Sequence, residues 1–556
     1  MGLRHMHRAL LRTGSGLLLL GGALALVADL STPQASSAPE AATPVRTIPF
    51  TGVNPIGVNV FLGREVERWK KERTLEMAKA AGAGWIKEIF SWEEIEPKKG
   101  VYWDDKFKKS TWEKYDELVD LAERFGLRII ARLDRTPAWA RKDTRLPTAP
   151  PDRLEDYGDF VYEVVKRYAG RVQFFQIWNE PNIYPEWGDR PPDPAGYTEL
   201  LKLASQRAKD ANPDAIIISA PLAQTLERSA RNLTELDYLD GMYRAGAAGA
   251  FDILAANAYG FEFPPTAPAD PNVLNYARLQ LLRRVMERHG DHNTPVWFNE
   301  FGWNAAPPSF PVDQLIWQRV TEQQQAQYTA DAITLARRWG WVGVMSIWYF
   351  RHVGDIPPDR PDYYFRMVDT EFTPRPVYHA VKQLGERLRV VGPGVYQESN
   401  AAVEAEGRWA FRLLPDASAG AVLQPHTPDA ALTLTFEGTD VALLAGVGPQ
   451  GGRLRVTVDG QDAGLEQKDA AGRSYVDLVA PERRFGVQLV LARGLRPGRH
   501  TLRLEPVGAA GQEWFIDGFA VESRPVPAGD RVWLSLGLVV LGALGLAASF
   551  VVRRTP

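Results

Sequence analysis

Between residues 56 and about 388, short apolar runs alternate with amphipathic segments, the pattern of a parallel sheet covered by helices. Eight runs read as strands, at 56–60, 85–89, 128–133, 172–178, 215–220, 253–258, 296–301 and 343–348. The segments between them repeat with the 3.6-residue period of helices that bury one face. Trp112, Tyr115, Leu118, Val119, Ala122 and Phe125 form one stripe that stops at Gly126, and Tyr157, Phe160, Val161, Val164, Val165 and Tyr168 form another before Gly170. Eight such repeats predict an α/β fold, a (β/α)8 TIM barrel over 51–389. A doubly wound open sheet would call for a glycine-rich phosphate loop after an early strand, and the sequence has none.

The pattern changes beyond the barrel. From about 390 to 525 helical periodicity gives way to β-rich runs at 432–436, 441–444, 453–458, 487–491 and 500–504, separated by Gly, Asp and Pro turns. This predicts an all-β sandwich, jelly-roll-like, as a second domain. The two ends carry topological signals. Arg4, Arg8 and Arg12 precede an apolar stretch at 14–28, which reads as a signal peptide or N-terminal anchor over 1–28. A Pro-, Ala-, Ser- and Thr-rich linker over 29–50 follows. Residues 532–552 are 21 in number without a charge and are followed by Arg553 and Arg554. They predict a C-terminal transmembrane helix over 531–552, with its tail inside and the bulk of the chain extracytoplasmic on the cell membrane.

Composition narrows the chemistry. A formal net charge of -3 gives no global attraction to nucleic acid, so no nucleic-acid partner is expected. The chain has no cysteine, which removes disulfides and thiolate metal sites. Of its eight histidines only His5 and His7, in the basic N-terminal stretch, stand in a His-x-His spacing and none in His-Glu-x-x-His, so neither metal nor organic cofactor is expected. There are 17 Trp, many beside polar residues, where flat apolar faces suit sugar rings; they equally fill large cores.

Two strand ends concentrate the chemistry. The run Phe174-Phe175-Gln176-Ile177 leads into Trp178-Asn179-Glu180-Pro181-Asn182, and Val296-Trp297-Phe298 into Asn299-Glu300-Phe301-Gly302-Trp303. By position these close strands four and seven. On a barrel, residues at the C-terminal strand ends face the open site. Glycosidic cleavage needs one carboxyl to protonate the leaving oxygen and a second to attack the anomeric carbon or activate water against it. Glu180 and Glu300 are the candidate pair, with Trp178 and Trp303 as candidate substrate-binding neighbours.

These two motifs resemble the fourth- and seventh-strand signatures of glycoside hydrolase clan A, with the xylosidase and iduronidase type of family 39 and the cellulase-like family 5 as the nearest members. Gly84-Trp85-Ile86-Lys87 and Trp92-Glu93-Glu94-Ile95-Glu96-Pro97 are similar to the clan's second strand and loop. The resemblance implies retention of configuration, with Glu180 as general acid/base and Glu300 as nucleophile. It also implies that Asn179 bonds the 2-hydroxyl of the sugar and that Trp348 is a platform on strand eight. The chain departs from the pattern at Lys87, where an Arg is frequent, and at Asn257-Ala258-Tyr259, where His-x-Tyr is common. Tyr259 remains available to the nucleophile, whereas Asn257 cannot titrate. Arg132 and Asp134 could line the site or form a structural ion pair.

The expected activity is hydrolysis of a β-linked polysaccharide or oligosaccharide. A transglycosylase would use the same carboxylates, and a non-catalytic surface glycan-binding protein would need neither. The β domain resembles accessory sandwich modules through Phe436-Glu437-Gly438-Thr439 and the Pro497-Gly498 turn, and either glycan binding or a spacer role fits it.

Overall fold

Each of the eight apolar runs forms a strand. The computed structural model describes residues 48–142, 145–354, 358–509 and 511–524. The strands are β1 (Ile56–Asn59), β2 (Trp85–Ser91), β3 (Arg128–Asp134), β4 (Phe174–Ile177), β5 (Ile216–Ile218), β6 (Leu254–Tyr259), β7 (Val296–Gly302) and β8 (Val342–Ile347). They pair in parallel in the order β5-β4-β3-β2-β1-β8-β7-β6. Parallel bridges from Ile218 to Ile253 and from Leu222 to Ala256 join the two outer strands, so the sheet closes into a barrel.

Eight main helices follow the strands: α1 (Arg68–Ala80), α2 (Glu113–Arg124), α3 (Leu154–Arg167), α4 (Pro194–Ala211), α5 (Glu235–Arg244), α6 (Leu279–Arg288), α7 (Glu322–Arg338) and α8 (Pro376–Leu388). Their starts use local polar chemistry. Asp193 and Thr234 accept backbone N–H groups at the heads of α4 and α5, and Thr321 with Gln324 forms a capping box on α7. The stripes on α2 and α3 are buried, and both helices are followed by glycines in left-handed backbone, Gly126 (φ 61°) and Gly170 (φ 77°).

Aromatic residues at the strand starts plug the N-terminal end of the barrel. The rings of Trp85, Phe174 and Trp297 lie within 4.8–5.2 Å of one another. Both indole N–H groups reach backbone carbonyls, Trp85 that of Asn54 at 2.9 Å and Trp297 that of Phe50 at 3.0 Å. Gly343 on β8 makes room for this, since a Cβ there would sit 2.1 Å from the Trp297 indole nitrogen.

The second domain covers that plug. Its strands are β9 (Gly394–Tyr396), β10 (Val403–Glu406), β11 (Trp409–Leu413), β12 (Ala421–Pro425), β13 (Ala431–Gly438), β14 (Asp440–Val447), β15 (Arg453–Val458), β16 (Gln461–Asp462), β17 (Tyr475–Asp477), β18 (Arg484–Ala492), β19 (Gly498–Val507) and β20 (Phe515–Glu522). They form two antiparallel sheets, β11-β12-β20-β14-β18 with β9 on β20, and β10-β13-β19-β15-β16 with β17 on β15. Buried residues alternate along β13 and β15, as a sandwich requires. Phe411 on β11 packs against Phe50 and Phe174 at 5.4 and 5.7 Å. The Gln173 amide bonds both backbone groups of Phe411, at 2.8 Å each, which ties the sandwich to the closed end of the barrel and leaves the other end open.

The architecture corrects one expectation. No helix among the described residues is long and apolar enough to cross a membrane. The longest helix among the described residues, α4, has 18 residues, and Glu199, Lys202, Arg207, Lys209 and Asp210 on it rule out a hydrocarbon setting. The described fold is therefore a barrel and a sandwich, without the transmembrane element expected over 531–552. That segment and residues 1–47 lie outside the described residues.

Candidate active site

The C-terminal strand ends open into one cavity of about 840 Å³, to which all eight strands or the turns after them contribute. Asn59, Lys87, Arg132, Asn179, Glu180, Tyr259, Glu300 and Trp348 all face it.

Glu180 reaches the cavity through a strained turn. Trp178 and Glu180 have φ of 73° and 37°, a region that costs a non-glycine residue roughly 1–2 kcal/mol. The surroundings hold it there. The Trp178 amide donates to Leu133 at 3.1 Å and the Glu180 amide to Pro221 at 3.0 Å. Asn182, wholly buried, gives its side-chain N–H groups to the carbonyls of Ala223 and Leu233, both at 2.9 Å, and accepts the Ala223 amide at 2.8 Å. β4 ends at Ile177, and the buried Asn182 locks the turn that follows it.

Glu300 lies on β7, where the pairing with β6 shifts between Phe298 and Glu300. The Lys87 ammonium donates to Oε1 at 3.0 Å and the Tyr259 hydroxyl to Oε2 at 2.9 Å, so each carboxylate oxygen has one buried donor. Burial pulls Lys87 below the usual lysine range, against the attraction of Glu300. The Tyr259 phenol is pushed well above its ordinary value by burial and then by the charges of Glu300 and Glu180, which keeps its proton in place for donation.

The surroundings of Glu180 are different. Its carboxyl is raised above the ordinary range, chiefly by burial and then by the negative charges of Glu300 and Glu186. The Asn257 hydrogen bond to Oε1, at 2.5 Å, and the Arg132 charge act in the opposite sense. Asn257 touches Glu180 from behind the cavity wall. Asn179 donates to Glu186 at 3.3 Å, and its Oδ1, though buried, has no protein partner.

Other expected residues fall outside the cavity. Trp178 is buried against Tyr157 and Trp187 and gives its indole N–H to the Glu186 carbonyl at 2.9 Å. Trp303 is buried with its N–H on the Phe263 carbonyl at 2.8 Å, and its ring lies so close over Gly260 that a Cβ there would meet it at 1.9 Å. Both indoles are core, since their polar edge is consumed by backbone. Arg132 and Asp134 form a buried ion pair at 2.5 Å, with Arg132 also facing the cavity.

Arg64, Arg135, Glu186 and Trp317 are among the wall residues that no motif announced. Glu186 shares a loop with Glu180, which is the one signal that pointed to it. Trp317, from the long segment after β7, joins Trp348, Phe61 and Phe261 in giving the cavity aromatic faces. Among the described residues no cluster of three or more His, Asp or Glu side chains is arranged to hold a metal ion.

No family model matches this chain, and no curated protein is similar to it in sequence. Among solved structures it is similar to a family 39 glycoside hydrolase from the gut symbiont Bacteroides cellulosilyticus WH2, with 18% identity, a TM-score of 0.47, and coverage of 83% of this chain and 82% of that one. It is also similar to the GH39 enzyme from Xanthomonas axonopodis pv. citri, at 17% identity and a TM-score of 0.46 over 83% and 96% of the two chains. A GH39 β-xylosidase from Caulobacter crescentus gives 16% identity and a TM-score of 0.46 over 83% and 97%.

Proposed function

We propose that this chain is a retaining O-glycosyl hydrolase that cleaves a β-linked oligosaccharide or polysaccharide, with Glu180 as general acid/base and Glu300 as nucleophile. One observation carries the reading: two carboxyls from different strands face one cavity in unlike surroundings. Glu180 is held toward its protonated form, whereas Glu300 has an ammonium and a phenol donating to it.

The chemistry follows from that asymmetry. A Glu300 oxygen attacks the anomeric carbon while Glu180 gives its proton to the departing glycosidic oxygen, leaving a glycosyl ester on Glu300. Glu180, now a carboxylate, takes a proton from water as that water attacks the same carbon, and Glu300 leaves. Two inversions restore the configuration. Asn179, whose N–H is engaged by Glu186, offers Oδ1 to a sugar hydroxyl, and Trp348 and Trp317 supply flat faces for rings. The N-terminal order of Arg4, Arg8 and Arg12 before an apolar stretch supports an extracytoplasmic place of action.

A panel of aryl β-glycosides tests this reading. Saturable release of the phenol with the β-anomer of the sugar formed first is the expected result; release with an α-anomer first would exclude retention, and no turnover of any substrate would leave a glycan-binding protein.

Glu186 provides a test by pH. Glu180 must carry its proton to act as acid, so activity is lost as pH rises through its ionisation. The negative charge of Glu186 helps hold that proton. Glu186→Gln removes the charge, lowers the ionisation of Glu180, and should move the alkaline limb of the kcat/KM profile to lower pH. An unmoved limb would mean that another group sets it.

A further inference from the structure

Ion pairs account for three of the cations that face the cavity: Lys87 with Glu300 at 3.0 Å, Arg132 with Asp134 at 2.5 Å, and Arg360 with Asp362 at 3.0 Å. Two arginines remain. Arg64, in the turn after β1, and Arg135, in the turn after β3, face the same cavity, and among the described residues neither guanidinium has a hydrogen bond or an ion pair. Arg64 lies over the Phe61 ring at 5.3 Å, a contact that steadies the planar group without using its N–H donors.

Arg135 is placed at a conformational cost. Its φ of 69° lies in the left-handed region that favours glycine, and its carbonyl is fixed there by the Glu93 amide at 2.8 Å. A strained backbone that holds a partnerless arginine against a cavity is the kind of outlier that accompanies ligand binding. Since β1, β2 and β3 are neighbours in the barrel, the two arginines flank β2 on one side of the cavity.

Glu93 and Glu186 feel the charge of Arg135, but no carboxylate among the described residues forms an ion pair with either arginine. Glu88 on β2 turns its oxygens to the backbone amides of Leu62 at 2.6 Å and Ile89 at 3.1 Å. Glu186 is engaged by Asn179 at 3.3 Å and by Arg132 at 3.8 Å.

We propose that the glycan taken by this cavity is anionic, with oxyanion groups on its rings held by the guanidinium forks of Arg64 and Arg135. A uronic-acid carboxylate and a sulfate or phosphate ester share the chemistry that such a fork recognises. The proposal rests on the glycosidase reading for the bond that is cut, whereas recognition of charge is measured separately.

The test uses the full-length protein and paired probes: β-linked polyglucuronate and polymannuronate oligosaccharides, each with its carboxyl-reduced form, and dextran sulfate with dextran. Calorimetry should give at least about tenfold tighter binding to the charged member of a pair, and the affected pair tells carboxylate from ester. Each of Arg64→Gln and Arg135→Gln should cut the charged-to-neutral ratio, in Kd and in kcat/KM, by on the order of tenfold, with Arg135→Lys recovering part of it. Equal affinity within every pair, or a preference untouched by both variants, overturns the proposal; cleavage of neutral aryl glycosides would then leave the hydrolase standing. Arginine-dependent binding of charged probes without cleavage of any substrate upholds the anionic ligand and overturns the hydrolase.

Discussion

Glu300→Ala is expected to lower kcat/KM on aryl β-glycosides by roughly 10⁴-fold or more, because it removes the atom that forms the covalent intermediate. The loss should be independent of the leaving group, since no degree of leaving-group activation replaces a nucleophile. The same substitution strands two donors, the buried Lys87 ammonium at 3.0 Å and the Tyr259 hydroxyl at 2.9 Å from the missing carboxylate. A buried ammonium without its partner is costly, and Lys87 is already drawn down by burial, so it should shed its proton in the variant. Glu300→Gln keeps the volume and one acceptor oxygen. It should show the same loss of turnover with a smaller fall in Tm, which separates chemistry from folding. Turnover within tenfold of the wild type in a folded Glu300→Gln protein would remove Glu300 from the mechanism.

Glu180→Ala should fail in a way that depends on the substrate. For glycosides with a poor leaving group, loss of the general acid should reduce turnover by about 10²–10⁴-fold. With a good leaving group such as a dinitrophenolate, protonation is unnecessary and the glycosyl-enzyme still forms. Its hydrolysis then stalls because no base activates water, so stopped-flow traces should show a burst of phenolate followed by a slow steady state. Azide needs no base, and millimolar azide should restore turnover in this variant and leave the wild type unaffected. A Glu180→Ala enzyme whose loss is equal for good and poor leaving groups, with no response to azide, would mean that Glu180 acts by some other means.

The barrel was legible because each strand is buried on both sides and reads as an apolar run. The periods of α2 and α3, and the glycines after them, could be taken from residues alone. The sandwich was legible in its middle, at β13, β14, β15, β18 and β19, where buried positions alternate or run together. Its other strands were not. The edge strand β10 is almost wholly exposed, and β16 and β17 are two and three residues long, too short to show a period. The transmembrane expectation rests on the length and lack of charge of 532–552 and on Arg553 and Arg554 after it, and no helix among the described residues is long and apolar enough to cross a membrane.

Within the site, legibility followed the strands. Glu300, Lys87 and Tyr259 are strand residues whose direction is fixed by the pleat, and Glu180 lies in the turn just past β4, so sequence position carried them to one place. A tryptophan beside polar residues carries no such information. The indoles of Trp178 and Trp303 turn to backbone carbonyls, whereas those of Trp348 and Trp317 face the cavity, and local sequence does not distinguish the two pairs. Arg64 and Arg135 come from turns after strands and Glu186 from the short strand Glu186–Asp189, none with a periodicity to mark it, and only closure of the barrel brings them to the cavity that Glu180 and Glu300 share.

The assignment of roles is tested most directly by the configuration of the azide product. In Glu180→Ala, azide attacks the covalent intermediate on Glu300, a second inversion, so proton NMR should show a β-glycosyl azide from a β-glycoside. In Glu300→Ala no intermediate can form, and azide entering from the vacated side should give the α-glycosyl azide by a single inversion. An α product from Glu180→Ala together with a β product from Glu300→Ala would contradict the account, because it would exchange the acid/base and the nucleophile.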